Sequence, residues 1–203
     1  MMPTVLITAF EPYDRWSENA SWAALVALTR NLPQNLKLVT RRYPVDFAKV
    51  RKKLAEDLAA DYDYALHLGQ APGIARIHLE EIGINIGGHS NQSPDEFQPL
   101  VADGPTAYRS QLPLARWASL LRSSGIPAAV SYHAGTYLCN ATLYLTHYFA
   151  AQQGLKTKAA FIHLPLTPEQ VVGGRQDIAS MPSQTAASGL QRILSDLEAV
   201  EFS

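Results

Sequence analysis

Five short apolar runs, spaced along the chain and separated by stretches of helical periodicity, constrain the fold more than any other feature. TVLITA (4–9), the segment from Leu36 to Arg42, YALHL (64–68), AAVSY (128–132) and the run from Ala159 to Leu164 read as strands. The stretches between them carry helix signals. One helix begins near Asn19 or Ser21, with Trp22, Leu25, Val26 and Thr29 on one face. Asp46 caps a second, whose apolar stripe is Phe47, Val50, Leu54 and Leu58. Leu114 to Ser124 is a third, with Gly125 just past its end, and Cys139 to Gln153 a fourth, closed by Gly154. Thr167, Pro168 and Gln170 form a helix start with a capping residue, proline at the first position and an amide at the third. A last helix spans Thr185 to Leu197. Strands alternating with helices imply an α/β fold, a three-layer α/β/α arrangement around a mainly parallel central sheet. No linker or repeat divides the chain, so residues 1–203 are expected to form one domain.

Two segments resist this simple pattern. Gly69 reads as the stop of the third strand. Ile77 to Ile86 alternates like a strand (Ile77, Leu79, Ile82, Ile84, Ile86) but carries Glu80 and Glu81 side by side. Residues 87–106 are polar and rich in glycine and proline, which suggests a surface excursion.

In sheets of this kind ligands bind beyond the carboxyl ends of the strands. Val130-Ser131-Tyr132-His133 and Phe161-Ile162-His163 place polar residues there, and the two ends meet if their strands are neighbours. Composition narrows the candidates for what binds. The net charge is −1 with no basic cluster, which argues against nucleic acid and anionic membrane as partners. MMPTVLITAF lacks a basic n-region and a small-residue cleavage site, so it is not read as a signal peptide. No apolar run is long enough to span a bilayer. A cytoplasmic protein is the expectation.

The chain has 1 cysteine, which excludes an internal disulfide and a multi-cysteine zinc site. That residue, Cys139, follows a strand and a short turn containing Ala134 and Gly135, and lies in or near the first turn of a helix. Free backbone N–H groups and the positive end of the helix dipole stabilise a thiolate at such a place, and the same groups can hold an oxyanion. A thiol nucleophile needs a base. His133 is close in sequence, and His163 ends a buried strand; spacing alone leaves both open. His67, His78, His89 and His147 read as ordinary surface or core residues. No pair has the spacing of a helix-borne zinc site, and neither metal nor cofactor is expected. Glu80 or Glu81 could orient the base, since adjacent strand residues face opposite ways.

Several ordered blocks of this chain resemble the pyrrolidone-carboxyl peptidase family, the type I pyroglutamyl peptidases. Ala9-Phe10-Glu11-Pro12-Tyr13 is similar to the family's opening block, and Gly69-Gln70-Ala71-Pro72 through Glu80 to Asn85 to its glutamate motif. Ile126 to Ser131, continuing through Ala134 to Asn140, is similar to its cysteine motif. Asp103-Gly104-Pro105, Leu112-Pro113 and Phe161-Ile162-His163-Leu164-Pro165 fit further blocks in order. The resemblance implies a cysteine exopeptidase that removes N-terminal 5-oxoproline from peptides through a thioester. It implies Glu80, Cys139 and His163 as the triad, and Phe10, Tyr13, Gln70, Tyr137 and Leu138 around the substrate. It leaves a homodimer or homotetramer open. The chain departs from the family pattern at several positions. His78 stands where the family usually has Ser or Thr, Glu81 where it has Lys or Arg, Gly83 where it has Ala, and Val45 where it has Thr. Ile74 and Ser90 stand where it usually has arginines. The departures support a rival expectation, a binder of pyroglutamyl peptides with weakened turnover. A second rival is a cysteine hydrolase of another small amide.

Overall fold

The computed structural model describes residues 2–89, 91–174 and 177–200. Its centre is a six-stranded sheet in the order β2-β1-β3-β8-β4-β7. These strands are β1 (Thr4–Phe10), β2 (Lys37–Tyr43), β3 (Tyr64–Gln70), β4 (Ile77–Glu80), β7 (Ala128–Ser131) and β8 (Lys158–Leu164). Neighbours run parallel except β4 and β8, which are antiparallel. A separate antiparallel ribbon joins β5 (Ile82–Ile84) to β6 (Ala107–Arg109).

Helices cover both faces. On one face α1 (Ala20–Leu28), α3 (Leu114–Ser123) and α6 (Ser183–Val200) pack over Val5, Ile7, Leu66, Leu68, Leu79 and Ile162. On the other, α2 (Phe47–Leu58) and α4 (Leu138–Gln153) cover Leu6, Ala65, Ala159 and Phe161. The alternation of inward residues along each strand is the period-two pleat, and a strand buried on both faces is apolar at almost every position. The helix boundaries follow their caps. Asn19 accepts from Ser21 N at the head of α1, and Asp46 accepts from Lys49 N at the head of α2. Gly154 ends α4 at φ 64°. A capping box of Thr167 and Gln170 opens the short α5 (Pro168–Val171).

The structure differs from the sequence expectation in four places. The buried face of α1 is Ala20, Ser21, Ala24, Leu25 and Leu28. Val26 is exposed, and Trp22 lies half-buried under the Arg42 guanidinium, 5.0 Å from its ring centroid. Gly69 does not stop β3, which runs on to Gln70. A Cβ on Gly69 would lie 2.6 Å from the Phe161 ring and 3.1 Å from Cys139 Sγ, so the glycine allows close approach within the strand. The segment 77–86 is not one strand: it breaks at Glu81, and β4 and β5 belong to different sheets. Finally, β7 and β8 are not neighbours, because β4 lies between them and is antiparallel to β8.

Candidate active site

His163 stands near the end of β8, opposite His78 of β4 and Gly69 of β3. Glu80 stands two residues further along β4, opposite Phe161, so Glu80, His78 and His163 share the sheet face covered by α4. The His163 Nδ1–H donates to Glu80 Oε1 at 2.8 Å. That leaves Nε2 free on the side of Cys139, whose side chain is near enough to favour the charged imidazole. Phe161 packs against the ring from the same strand, with centroids 4.9 Å apart. Glu80 is 1 % exposed and His163 8 % exposed, so the pair is screened from water.

Burial by itself pushes the His163 pKa down. The negative charge and hydrogen bond of Cys139, joined by those of Glu80, outweigh burial and raise it to about 10. Burial likewise works to raise the Glu80 pKa. The bond to His163 and its charge overcome that and hold Glu80 below the ordinary carboxylate value. Glu80 Oε2 is buried without a hydrogen-bond partner. The Ser131 hydroxyl, on the cross-strand neighbour of Glu80, is near enough to favour ionisation but does not bond that oxygen.

Cys139 is the second residue of α4 and half-buried. Tyr137 precedes the helix in extended conformation, and no side chain caps the first turn. The N–H groups of that turn therefore lie beside the thiol, where an anion is favoured. The approach to the helix turns at Gly135, whose φ of 79° suits glycine. Asn140, wholly buried, clamps the helix start to β5. It accepts from Ile84 N at 2.9 Å and donates to Ile84 O and Ile86 O, each at 2.9 Å. Sequence reasoning gave Asn140 no role. The available signal was an asparagine, a poor helix former, in the first turn after the cysteine.

The thiol opens onto a pocket of about 220 Å³ lined by Phe10, Tyr13, Asn19, Val45, Gly69, Gln70, Tyr137 and Leu138. All five residues expected around the substrate line it, and Asn19, Val45 and Gly69 join them. Gln70 Oε1 accepts from Ala20 N at 2.8 Å and from Gln170 Nε2 at 2.7 Å. Those bonds fix the amide, and its Nε2 is buried without a partner. Tyr13 stays neutral: burial and the negative charge of Cys139 raise its pKa to about 12.

The other candidates lie elsewhere. His133 is exposed. Glu81 pairs with Arg109 of β6. His67 is a hydrogen-bonded core residue, held between Thr8 Oγ1 at 2.8 Å and Thr146 Oγ1 at 2.9 Å. His89 packs against Tyr137 at a tilt, with ring centroids 4.3 Å apart. Ser90 lies outside the described residues. Among the described residues no three acidic, histidine or cysteine side chains cluster as a metal site, and no helix is long and apolar enough to cross a membrane.

Comparison with known proteins gives a consistent picture. The family model described as pyroglutamyl peptidase matches residues 3–198. A pyrrolidone-carboxylate peptidase of Clavibacter michiganensis is 38% identical over 178 residues, covering 85% of this chain and 83% of that protein. One of Streptomyces coelicolor is 35% identical over 200 residues, 95% of this chain and 91% of the relative. Among solved structures, the pyrrolidone carboxyl peptidase of Fervidobacterium islandicum superposes with a TM-score of 0.91 at 33% identity, over 97% of this chain and 99% of that one. The enzyme from Thermococcus litoralis gives 0.89 at 32%, over 98% and 96%.

Proposed function

The chain belongs to the pyroglutamyl peptidase family, and we propose that Glu80, Cys139 and His163 are its catalytic triad within a single catalytic domain. It is a cysteine-type peptidase that removes N-terminal pyroglutamate from peptides. The observation that carries the residue assignment is the His163 imidazole, bonded to Glu80 at 2.8 Å and near enough to the Cys139 thiol, at the mouth of an aromatic pocket, to be charged by it.

In the first step the Cys139 thiolate attacks the carbonyl that links the oxoproline ring to the next residue, forming the C–S bond. The oxyanion takes up donors at the N-terminal turn of α4. The C–N bond then breaks, and the His163 imidazolium gives its proton to the leaving amine. In the second step water attacks the thioester, His163 accepts its proton, and the C–S bond breaks to release pyroglutamate and restore the thiolate–imidazolium pair. Glu80 holds the ring at Nδ1 and stabilises its charged form.

The ring of the substrate is flat and uncharged, which suits a slot walled by Phe10, Tyr13, Tyr137 and Leu138. The unpartnered Gln70 Nε2 gives that slot one fixed donor, suited to the lactam carbonyl. This arrangement favours peptide hydrolysis over a mere pyroglutamyl binder, which would need the pocket but not the charged thiol–imidazole pair. The unpaired thiol suits a reducing compartment, and we place the enzyme in the cytoplasm. A homodimer or homotetramer fits the family resemblance, and sedimentation measures it. The direct test is hydrolysis of a chromogenic pyroglutamyl amide beside prolyl and alanyl amides. Selective cleavage of the first by the parent, and its loss in Cys139→Ser with an unchanged melting temperature, is the expected result. Equal cleavage of all three would reject the lactam pocket.

A further inference from the structure

The buried carboxylate of Glu80 uses one oxygen on His163, and its other oxygen, Oε2, has no hydrogen-bond partner. A second imidazole stands beside this pair. His78 lies two residues before Glu80 on the same face of β4 and directly opposite His163 in the antiparallel register. Side chains so opposed have Cβ atoms about 4.5–5.5 Å apart, so the two side chains leave the sheet side by side on one face. His78 is only half-buried, whereas His163 is nearly closed off. Solvent protons thus reach His78 more easily than the base it flanks.

We propose that His78 is a positioning residue for the reaction, acting on the charge balance of Glu80 and His163. Neutral His78 walls the base and leaves Glu80 wholly to His163. Protonated His78 opposes the His163 imidazolium and draws on the free oxygen of Glu80. The thiolate–imidazolium pair then gives way to the uncharged pair, and the nucleophile is lost. The inference rests on the triad proposed above.

Burial lowers the His78 pKa first; Glu80 opposes that, while His163 of β8 and Arg76 of its own segment add to it. Its partner across β7 is Ala129, which carries no charge. The protonated form therefore gains ground only on acidification below the ordinary histidine value of 6.5. Glu80 is likewise held below the ordinary carboxylate value. The comparison with His78→Gln, which keeps Glu80, separates the two protonations.

The experiment compares the parent with His78→Gln, which cannot titrate, and His78→Lys, which stays charged. Two readouts are taken: kcat/KM for a pyroglutamyl amide against pH, and the pH titration of the His163 ring followed by NMR in histidine-labelled protein. Below pH 6.5 the parent should lose activity along a steeper limb than His78→Gln, because the parent has one more ionisation. At about pH 8, His78→Lys should be at least ~10-fold slower than His78→Gln, the scale expected for like charges at this separation in a partly buried site. Its His163 ring should also titrate at lower pH than in His78→Gln. Superimposable pH profiles for parent and His78→Gln, or an unmoved His163 midpoint in His78→Lys, overturn the proposal. If His78→Lys does not fold, the limb of His78→Gln decides. If the parent spares pyroglutamyl amides, the substrate assignment fails separately, and the ring titrations still decide the role of His78.

Discussion

His67 and His163 stand on neighbouring strands, on the same sheet face, and both are sealed from water. Burial pushes both imidazoles towards the neutral form. His67 yields to it, and its pKa is lowered to about 3 by burial, with the nearby His147 adding a little. His163 is instead raised to about 10. The partners account for the difference. Around His67 there are hydroxyls: the Thr146 hydroxyl donates to Thr142 O, so it accepts from Nε2–H, and Nδ1 accepts from the Thr8 hydroxyl. One neutral tautomer satisfies every group in that chain. Around His163 there are two acids, the Cys139 thiol and the Glu80 carboxyl. Burial alone therefore does not say what a histidine does. The anions in bonding reach do.

The sharpest way to break this comparison is to remove an anion. Cys139→Ala should lower turnover by at least ~10³-fold, as loss of the nucleophile does in related triads. It should also bring the His163 ring titration down from about 10, since Cys139 is the largest of the causes that raise it. An unmoved ring titration would mean that the charge on His163 does not come from the thiol.

A smaller effect is expected from the second anion. Glu80→Gln keeps the shape but removes the charge, and should slow kcat by ~10²-fold or more, within the range seen for groups that serve a general base. Glu81→Gln breaks only the bond to the largely exposed Arg109, and its turnover should stay close to the parent's. Equal losses in the two variants would reject Glu80 as the residue that orients His163.

The smallest effect on chemistry, but a clear one on stability, lies at His67. Its folded pKa is below the unfolded value, so the unfolded chain binds more protons between about pH 6.5 and 3. Stability from this residue is full above 6.5 and is lost as pH falls, by ~1.4 kcal/mol per unit inside that window. His67→Gln cannot titrate, so its urea midpoint should fall less between pH 7 and 5 than the parent's. Its kcat at neutral pH should be little changed. A parallel fall in both proteins would show that another group governs the acid loss.

Much of this architecture is legible in local sequence. Asp46, Gly125, Gly154 and the Thr167–Gln170 box announce helix ends because capping is a matter of a few adjacent residues. What local pattern cannot carry is pairing. That β4 runs against β8, and that it separates β7 from β8, depends on contacts between residues far apart in the chain. For that reason spacing left His133 and His163 equal, and the resemblance in the blocks around Cys139 and His163 distinguished them. Gly69 differs from its local pattern for a related reason. A glycine in a strand pattern looks like a stop until the ring of Phe161, on another strand, is seen to need its missing side chain. In α1 the large apolar side chains Trp22 and Val26 lie one step off the buried face, which is formed by the smaller Ala20, Ser21 and Ala24 with Leu25 and Leu28.

The place of β8 in the sheet has a consequence for how the enzyme comes into being. The strand joins β3 to β4, yet it is made last of the six, after residue 157 has been added to the chain. Until it threads between them, the β2-β1-β3 part of the sheet and the β4-β7 part have no ladder in common. The same seven residues deliver His163. On the proposed triad, a chain that already holds Cys139 and Glu80 but lacks β8 carries its thiol without the base. Completing the sheet and supplying that base are then one event.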